Sequence, residues 1–331
     1  MQWMRMILCS VAACGLVLIL LPVSLAAQVA PGVGEGVDAQ VLQVAPGPSH
    51  HATVSSSDVL DHRSVSFGVL AGYHRKPLGL RIGQREYWSV KRVSSVAFSW
   101  ALGIADRFQV GFVLPVILEQ YGQGAAPLIA DEDEAHRYYL TSSAVGDLRL
   151  HGKVRLLRMN DEQPDERGLG LALDLAFSTP TGDELNFAGE NGVVFAPGLI
   201  VDFHRNPFSV SLNTGVRLRS GARPRLADST VGNQLASAFG MTVHLLKERL
   251  LLGAESSLLA ELDDFNRMGI EFRGAVGTRP GESKSVTLWL SGGGGMSNRN
   301  EPLLSIPQMR FTLGLTYAPG ADDTGMDAFF M

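Results

Sequence analysis

The chain has only two cysteines, Cys9 and Cys14, and both lie in an apolar stretch at its start. This stretch, MQWMRMILCSVAACGLVLILLPVSLAAQ, has an arginine before its apolar run, then a proline, then small residues. These features predict a secretory signal peptide over residues 1–27, with cleavage after Ala26 or Ala27. An uncleaved membrane anchor and a lipoprotein signal ending at the second cysteine are the alternatives. The proline and the small residues after it favour the signal peptide.

With both cysteines inside the predicted signal, none remains for disulfides, thiolate catalysis or cysteine-ligated metals. No later stretch reaches the length of about 18 consecutive apolar residues that a membrane-spanning helix needs. Charged residues make up only 18% of the 331 residues, and the formal net charge is −5. This balance is too apolar for a disordered chain and gives no reason to expect a nucleic-acid partner.

The sequence also lacks the motifs of common hydrolases, Gly-x-Ser-x-Gly and His-Glu-x-x-His. The glycine run at 291–295 has no Lys-Ser/Thr after it, so it is not a phosphate-binding loop. The cluster DEDEAH at 131–136 has carboxylates that suit Ca²⁺, but a solvated loop is the better interpretation. Asp133 and His136 are the nearest approach to a catalytic pair. We therefore predict no enzyme, no metal site and no cofactor.

What the sequence does contain is a strict alternation of polar and apolar residues. In GDLRLHGKVRLL, residues 146–157, an ionisable side chain recurs at every second position from Asp147 to Arg155. A helix would spread these charges around its whole surface, whereas a strand places them on one face. Residues 108–119 and 208–219 alternate in the same way. The pattern therefore predicts strands that have one polar and one apolar face.

Twelve such strands are predicted from Ser64 onward. They lie near residues 65–73, 88–104, 108–119, 145–157, 168–178, 193–203, 208–219, 234–245, 250–261, 267–277, 284–292 and 308–317. Joins of three to five residues alternate with longer ones, such as the long join predicted at 74–87, apart from two exceptions. Outer-membrane barrels have an even strand number, short periplasmic turns and longer outer loops.

The predicted fold class is therefore all-β: a transmembrane antiparallel up-and-down β-barrel of about 12 strands, over residues 64–318, in a bacterial outer membrane. A closed sheet leaves no unpaired edge in lipid. A soluble β-sandwich is the alternative, but it has no reason to alternate its loop lengths. Residues 319–331 are predicted to be a C-terminal tail. Both ends of the chain are expected on the periplasmic side.

Residues 28–63 are rich in Pro, Gly, Ser and Val, and they show no periodicity. We predict an irregular N-terminal segment in the periplasm, with little structure of its own. His50 and His51 fall in this segment, and a solvated loop is the simplest interpretation of the pair.

In a membrane barrel the apolar faces contact lipid and the polar faces line the lumen. An arginine or lysine on the lipid face costs about 2–4 kcal/mol at the bilayer midplane. The predicted lumen-lining residues are Arg149, His151, Lys153, Arg155, Asp174, Asp202, Arg217, Arg219, Glu255, Glu271, Arg273 and Arg310. Neighbouring strands can pair Lys153 or Arg155 with Asp174, Asp202 with Arg217, and Glu255 with Arg273. The excess of basic groups favours anions in a narrow pore, but the charges can equally neutralise each other and fill the barrel.

Four stretches, VGDLRLHGKVRLL, GLGLALDLAFSTPTGD, LNFAGENGVVFAPGLIVDF and SLNTGVRLRSGARP, resemble the N-terminal barrel of OmpA-family outer-membrane proteins from myxobacteria and their relatives. The resemblance runs from about Ser64 to Tyr317. There is a looser likeness to transporter-type barrels associated with aromatic degradation. Larger members of the family carry a C-terminal peptidoglycan-binding domain, which this sequence does not show before Met331, so the resemblance implies an outer-membrane location but no tether to the cell wall.

The function expected from the sequence is passive transport of small polar or anionic solutes through the barrel. The alternative is a non-conducting scaffold, or a barrel that binds a partner in an envelope complex. A lumen plugged by residues 28–63 or by an outer loop would favour the scaffold. The expected surroundings are the outer-membrane lipid bilayer with lipopolysaccharide, and an envelope protein is a further candidate partner. We expect no nucleic acid among the partners.

Overall fold

The computed structural model describes residues 36–40, 42, 44, 46–82, 85–128, 135–159, 168–221, 223–226, 229–281, 283–297 and 306–319. The predicted signal peptide, the carboxylates of the DEDEAH cluster and all but the first residue of the predicted tail lie outside these described residues. Among the described residues, no helix is long and apolar enough to cross a membrane.

Twelve long antiparallel strands form a closed barrel in the described part of the chain. They are β1 (Val65–Ile82), β2 (Arg85–Ile104), β3 (Phe108–Tyr121), β4 (Arg149–Arg158), β5 (Gly168–Ser178), β6 (Val194–Arg205), β7 (Phe208–Arg219), β8 (Gln234–Leu245), β9 (Leu250–Glu261), β10 (Met268–Thr278), β11 (Val286–Ser297) and β12 (Met309–Tyr317). Each strand pairs with its neighbours along the chain, and β12 pairs with β1 from Tyr317 opposite Phe67 to Met309 opposite Arg75. The predicted twelve-stranded barrel is confirmed.

Short elements decorate the loops between these strands. They are two-residue strands at Ala144–Val145, Arg225–Leu226 and Ser229–Thr230, and 3-10 turns at Ala126–Leu128, His136–Tyr138 and Glu184–Asn186. The turns at 105–107, 206–207, 246–249 and 279–285 lie at one end of the barrel, together with the start of β1 and the end of β12. We call this the short-turn end. We call the opposite end, with the described parts of the loops at 122–148, 179–193 and 220–233, the long-loop end.

The first hairpin differs from the prediction. A long join was expected at 74–87, but β1 and β2 continue until Ile82 lies opposite Arg85. The ladder shifts register between Arg75 and Leu78, where Lys76 has a φ of 52° and is followed by a proline. A bulge of this kind breaks the two-residue alternation without ending the strand. The hairpin was therefore hidden in the sequence by the irregular stretch from Arg75 to Leu80, in which the register shifts twice.

The outer face of the barrel is apolar. In β12 the side chains of Met309, Phe311, Leu313 and Leu315 are exposed, while those of Arg310 and Thr312 between them are buried. The same alternation runs through β10, where Phe272 is exposed and the flanking Glu271 and Arg273 are buried. A closed sheet with oily side chains outside and charged ones inside is the architecture of a transmembrane barrel.

Candidate functional site

The inside of the barrel is occupied by the described residues between 36 and 60, which we call the lumen segment. Its described residues belong to no helix or strand, yet Val54, Ser56 and Leu60 are almost completely buried. Side chains from seven strands, β3, β4 and β6 to β10, form hydrogen bonds with it. The sequence predicted an irregular periplasmic segment over 28–63. The described part is irregular, but it lies in the lumen, because its hydroxyls, imidazoles and backbone groups bind the polar inner wall.

The lumen segment reaches both ends of the barrel. Near the long-loop end Val37 and Ala39 pack against Phe187, whose carbonyl accepts a hydrogen bond of 2.9 Å from the Ala39 amide. Near the short-turn end the side chain of Gln109 donates to the Pro46 carbonyl at 2.7 Å. The segment is therefore anchored by apolar packing at one end and by polar contacts at the other.

A buried charge cluster holds the middle of the lumen segment. The amide and hydroxyl of Thr53 donate to the two oxygens of Glu255 at 2.9 and 2.6 Å. Arg273 donates to the same hydroxyl at 2.7 Å and lies 3.3 Å from Glu255, the pairing that the predicted register brings together. Arg273 is also 3.7 Å from Glu271, which pairs with Arg310 at 2.8 Å. The inner wall of β9, β10 and β12 thus presents a preformed polar socket for one threonine.

A row of cations on β4 is covered by the lumen segment. Arg149 pairs with Asp38 at 2.9 Å, and the Lys153 ammonium donates to two backbone carbonyls of the segment at 3.1 Å. Arg158 forms an ion pair with Asp58. The strand shifts register between Arg155 and Leu157, and this shift turns Arg158 toward the same side as the other cations. The segment therefore supplies the carboxylates that neutralise Arg149 and Arg158 and the carbonyls that bind Lys153.

The other predicted lumen residues are buried or half-buried, and only some of them meet the partner that the register suggested. Asp202 accepts a hydrogen bond of 2.8 Å from the Ser57 hydroxyl instead of pairing with Arg217. Arg217 and Arg219 both pair with Glu190 of the loop at 179–193, at 3.0 and 2.6 Å. In a separate pair, His151 lies 3.6 Å from Asp174. Arg155 is half-buried and borders a cavity inside the barrel. That these side chains line a conducting path stays a prediction.

The two histidines of the segment are not in a solvated loop, in contrast to the sequence-based expectation. His51 is 2% exposed, and its ring nitrogens lie 2.8 Å from the hydroxyls of Thr242 and Ser211. Burial, and then the neighbouring His50, lower the pKa of His51 well below its usual range. His51 had no detectable partner in the sequence, because the strands that supply its two hydroxyls lie more than a hundred residues away.

A carboxylate that the sequence pattern placed next to β4 organises the loop at 179–193. Asp147 accepts hydrogen bonds from the amides of Gly182 and Glu190 at 2.8 and 2.9 Å. A Cβ on Gly182 would lie 2.8 Å from the Asp147 amide, so glycine is needed there. Burial raises the pKa of Asp147, although these amides act in the opposite direction. The contact fixes the backbone of Glu190, whose carboxylate then reaches the two arginines of β7.

The lumen is not completely filled. A cavity of about 800 Å³ lies between the segment and the wall, and it is bordered by Lys153, Arg155, His50 and His204 among other residues. A smaller space of about 190 Å³ is bordered by Asp174, Arg217, Arg273 and Arg310 among others. Polar volume therefore remains beside the segment, next to the cations of β4 and of the opposite wall.

Comparison with known proteins identifies the architecture. No protein-family model and no curated protein matches the chain. Among solved structures, it is similar to the COG4313 outer membrane channel from Pseudomonas putida F1, with 15% identity, 80% of this chain and 99% of that chain covered, and a TM-score of 0.58. It is also similar to the NanC porin (8% identity, 76% and 98% covered, TM-score 0.48) and to the TodX deltaS2S3 mutant monoaromatic hydrocarbon channel (9% identity, 86% and 99% covered, TM-score 0.43). The chain thus has the fold of an outer-membrane β-barrel.

Proposed function

We propose that the chain is an outer-membrane channel that conducts small polar solutes, preferentially anions, when the lumen segment moves aside. The observation that carries this proposal is the covered cation row of β4. Asp38 and Asp58 of the segment neutralise Arg149 and Arg158, and segment carbonyls bind Lys153. Displacement of the segment exposes three cations to water and removes two carboxylates. A lumen with this charge favours anions.

The way in which the segment is held supports its displacement without loss of the barrel. Its described residues join no ladder of the sheet, so every strand keeps its backbone pairing when the segment moves. Its bonds to the wall run mostly through side chains, such as those of Glu255 and Asp202. The closed ring of twelve strands can therefore stay intact in lipid in both states.

The similarity to a solved outer-membrane channel supports transport over catalysis as the role of the chain. The relation to myxobacterial OmpA-family barrels is part of this proposal. It is supported by the contact between Asp147 and Gly182, which joins the first two of the four stretches that carry the resemblance. Lipopolysaccharide is the proposed lipid neighbour at the long-loop end.

Reversal potentials in a planar bilayer under a KCl gradient test the proposal. We expect conductance steps with a reversal potential of anion-selective sign. Replacing Lys153 and Arg155 with glutamine should shift that potential toward zero, because both side chains border the lumen cavity. Arg205→Gln is the matched control, since Arg205 is exposed at the short-turn end of β6 and its charge does not face the lumen. Cation-selective steps, or an equal effect of Arg205→Gln, would contradict the proposal.

A non-conducting scaffold is the second candidate, and the depth to which the segment fills the barrel favours it. In that case the segment never leaves, and the charged inner wall serves only to fix it. Bilayers that stay silent even when the segment has been released would establish this alternative and remove the first.

A further inference from the structure

Three histidines from separate parts of the chain meet at the short-turn end of the lumen. His50 belongs to the lumen segment, while His204 and His244 lie near the ends of β6 and β8. One ring nitrogen from each lies within 4.8 Å of the others, and the two strand histidines are buried. The ring centroids are 4.4 Å apart for His50 and His204, 5.6 Å for His50 and His244, and 5.2 Å for His204 and His244.

We propose that His50, His204 and His244 bind one divalent transition-metal ion of the zinc type, and that this ion ties the lumen segment to the barrel wall. Three neutral imidazoles with a fourth position left for water or another donor are a common zinc ligand set. Imidazole nitrogen also suits copper and nickel, whereas calcium and magnesium require oxygen ligands. The chemistry of the donors therefore selects the class of ion.

Ser209 orients the two wall histidines for such an ion. Its hydroxyl oxygen lies 2.6 Å from His204 Nδ1 and 2.7 Å from His244 Nε2. A hydroxyl oxygen can accept two N–H donors, which leaves His204 Nε2 and His244 Nδ1 as lone-pair donors. His244 Nδ1 is buried and has no hydrogen-bond partner among the described residues. Partners on the far side of the ring are the usual way in which proteins fix a metal-binding histidine.

His50 is set up in the same manner by an acid of the lumen segment. Its Nε2 lies 2.9 Å from Asp58 Oδ2 in an ion-pair contact, and a carboxylate beside this nitrogen favours Nδ1 as the atom that binds the ion. The adjacent His51 differs, because hydroxyls engage both of its ring nitrogens. The second histidine of the pair therefore anchors the segment, and the first one is placed to bind.

An ion can reach the site from a cavity, and the His50 ring must turn before the ion can bind. The cavity of about 800 Å³ is bordered by His50 and His204, which gives an ion access to the ligands. Two cations on the same cavity, Arg279 and Lys284, are offset by Glu248 at 3.4 and 3.2 Å. The rings of His50 and His204 are stacked with an interplanar angle of 7°, so their lone pairs are nearly parallel. Binding of one ion therefore requires the His50 ring to turn out of the stack.

Titration of the purified full chain with Co²⁺ tests the site itself. The affinity tag used for purification must contain no histidine. We expect the visible absorption of low-symmetry Co²⁺ with nitrogen ligands. Zn²⁺ should displace the Co²⁺ and abolish this absorption, whereas Mg²⁺ should not compete. His50→Ala should weaken binding at least tenfold, and because His50 lies outside the strands this variant leaves the barrel wall unchanged. His136→Ala, at the long-loop end, is the matched control and should bind like the wild type. Absent absorption, or absorption that survives His50→Ala, would overturn the proposal.

Hydrogen exchange of residues 50–58 tests the tie between segment and wall, and this part rests on the proposed displacement of the segment. Amides of the segment exchange when the segment is displaced. An ion that binds only the seated segment slows this exchange by the factor 1 + [Zn²⁺]/Kd, which is about 100-fold when the Zn²⁺ concentration is 100 times Kd. His50→Ala should abolish the effect. If Co²⁺ binds but exchange does not change, the ion does not tie the segment. Since the absorption assay is independent of conduction, failure of the metal site and failure of the channel proposal can be told apart.

Discussion

Thr53→Val tests whether the charge cluster of β9 and β10 holds the lumen segment in place. Valine has nearly the same shape as threonine but lacks the hydroxyl, which donates to Glu255 at 2.6 Å and accepts from Arg273 at 2.7 Å. The Thr53 amide keeps its own bond of 2.9 Å to Glu255. The substitution therefore removes two charge-assisted hydrogen bonds and changes no strand of the barrel.

The expected size of the effect follows from these two bonds. A hydrogen bond to a charged group contributes about 1.5–3 kcal/mol, so two contribute at least about 3 kcal/mol. The buried guanidinium and carboxylate that remain still contact each other at 3.3 Å, which keeps the loss near the lower value. Since about 1.4 kcal/mol changes an equilibrium tenfold, displacement of the segment should become about 100-fold more frequent.

Maleimide labelling of Ser56→Cys measures this displacement. Ser56 is fully buried in the lumen segment, and the chain has no cysteine after the predicted signal peptide. With Thr53→Val added, the labelling rate should rise about 100-fold, because displacement of the segment becomes more frequent by that factor. Thr53→Ser keeps the hydroxyl and should change the rate by less than about threefold. Equal rates in the valine and threonine proteins, or an equal rise with serine, would refute the role of the cluster.

Two further predictions concern Asp38 of the lumen segment and Glu271 of the inner wall. Burial, opposed by Arg149, raises the pKa of Asp38 from 3.8 to about 6, so the seated segment favours the protonated acid. Seating should be tightest below about pH 4 and weaken as the pH rises through about 6. The labelling rate of Ser56→Cys, divided by that of a free thiol at the same pH, should grow about tenfold between pH 5 and 7.5, and this ratio should stay flat when Asp38→Asn is added. Glu271→Gln leaves the buried Arg310 without its charge partner at 2.8 Å and should lower the free energy of unfolding by about 3–5 kcal/mol in a urea titration. The exposed Glu119→Gln should lower it by less than about 0.5 kcal/mol, and similar losses in the two variants would contradict the assignment.

The strands could be predicted because each one carries its own signal. In β12, alternate residues from Met309 to Leu315 are apolar, and the polar ones between them face the interior. A side-chain period of two therefore fixes both the strand and the direction of each side chain. The same rule failed most clearly where the backbone departs from the pleat, at Lys76 in β1. A strand can therefore be predicted from the sequence as long as its two-residue alternation of polar and apolar side chains is unbroken.

The lumen segment could not be placed from the sequence, because nothing in it is periodic. Its contacts join residues far apart, such as Thr53 with Arg273 and His51 with Thr242. A short polar stretch that binds through hydroxyls and imidazoles looks the same in sequence whether it lies in water or in a polar lumen. The pairing of charges was predicted only in part for the same reason: Asp202 binds Ser57, a residue that belongs to the segment.

Conductance of a stapled barrel is the most direct test of a lumen segment that closes the channel. A Cβ on Gly170 of β5 would lie 3.2 Å from the Cβ of Ser57, slightly less than the separation of about 3.5–4.5 Å in disulfides. It would also contact the Asp202 carboxylate, so the Asp202 side chain must turn aside to admit the disulfide. In Ser57→Cys/Gly170→Cys we predict silent bilayers under oxidising conditions and anion-selective steps after reduction with dithiothreitol. Ser57→Cys alone should conduct in both conditions. Equal conductance of the oxidised and reduced double variant would contradict the account.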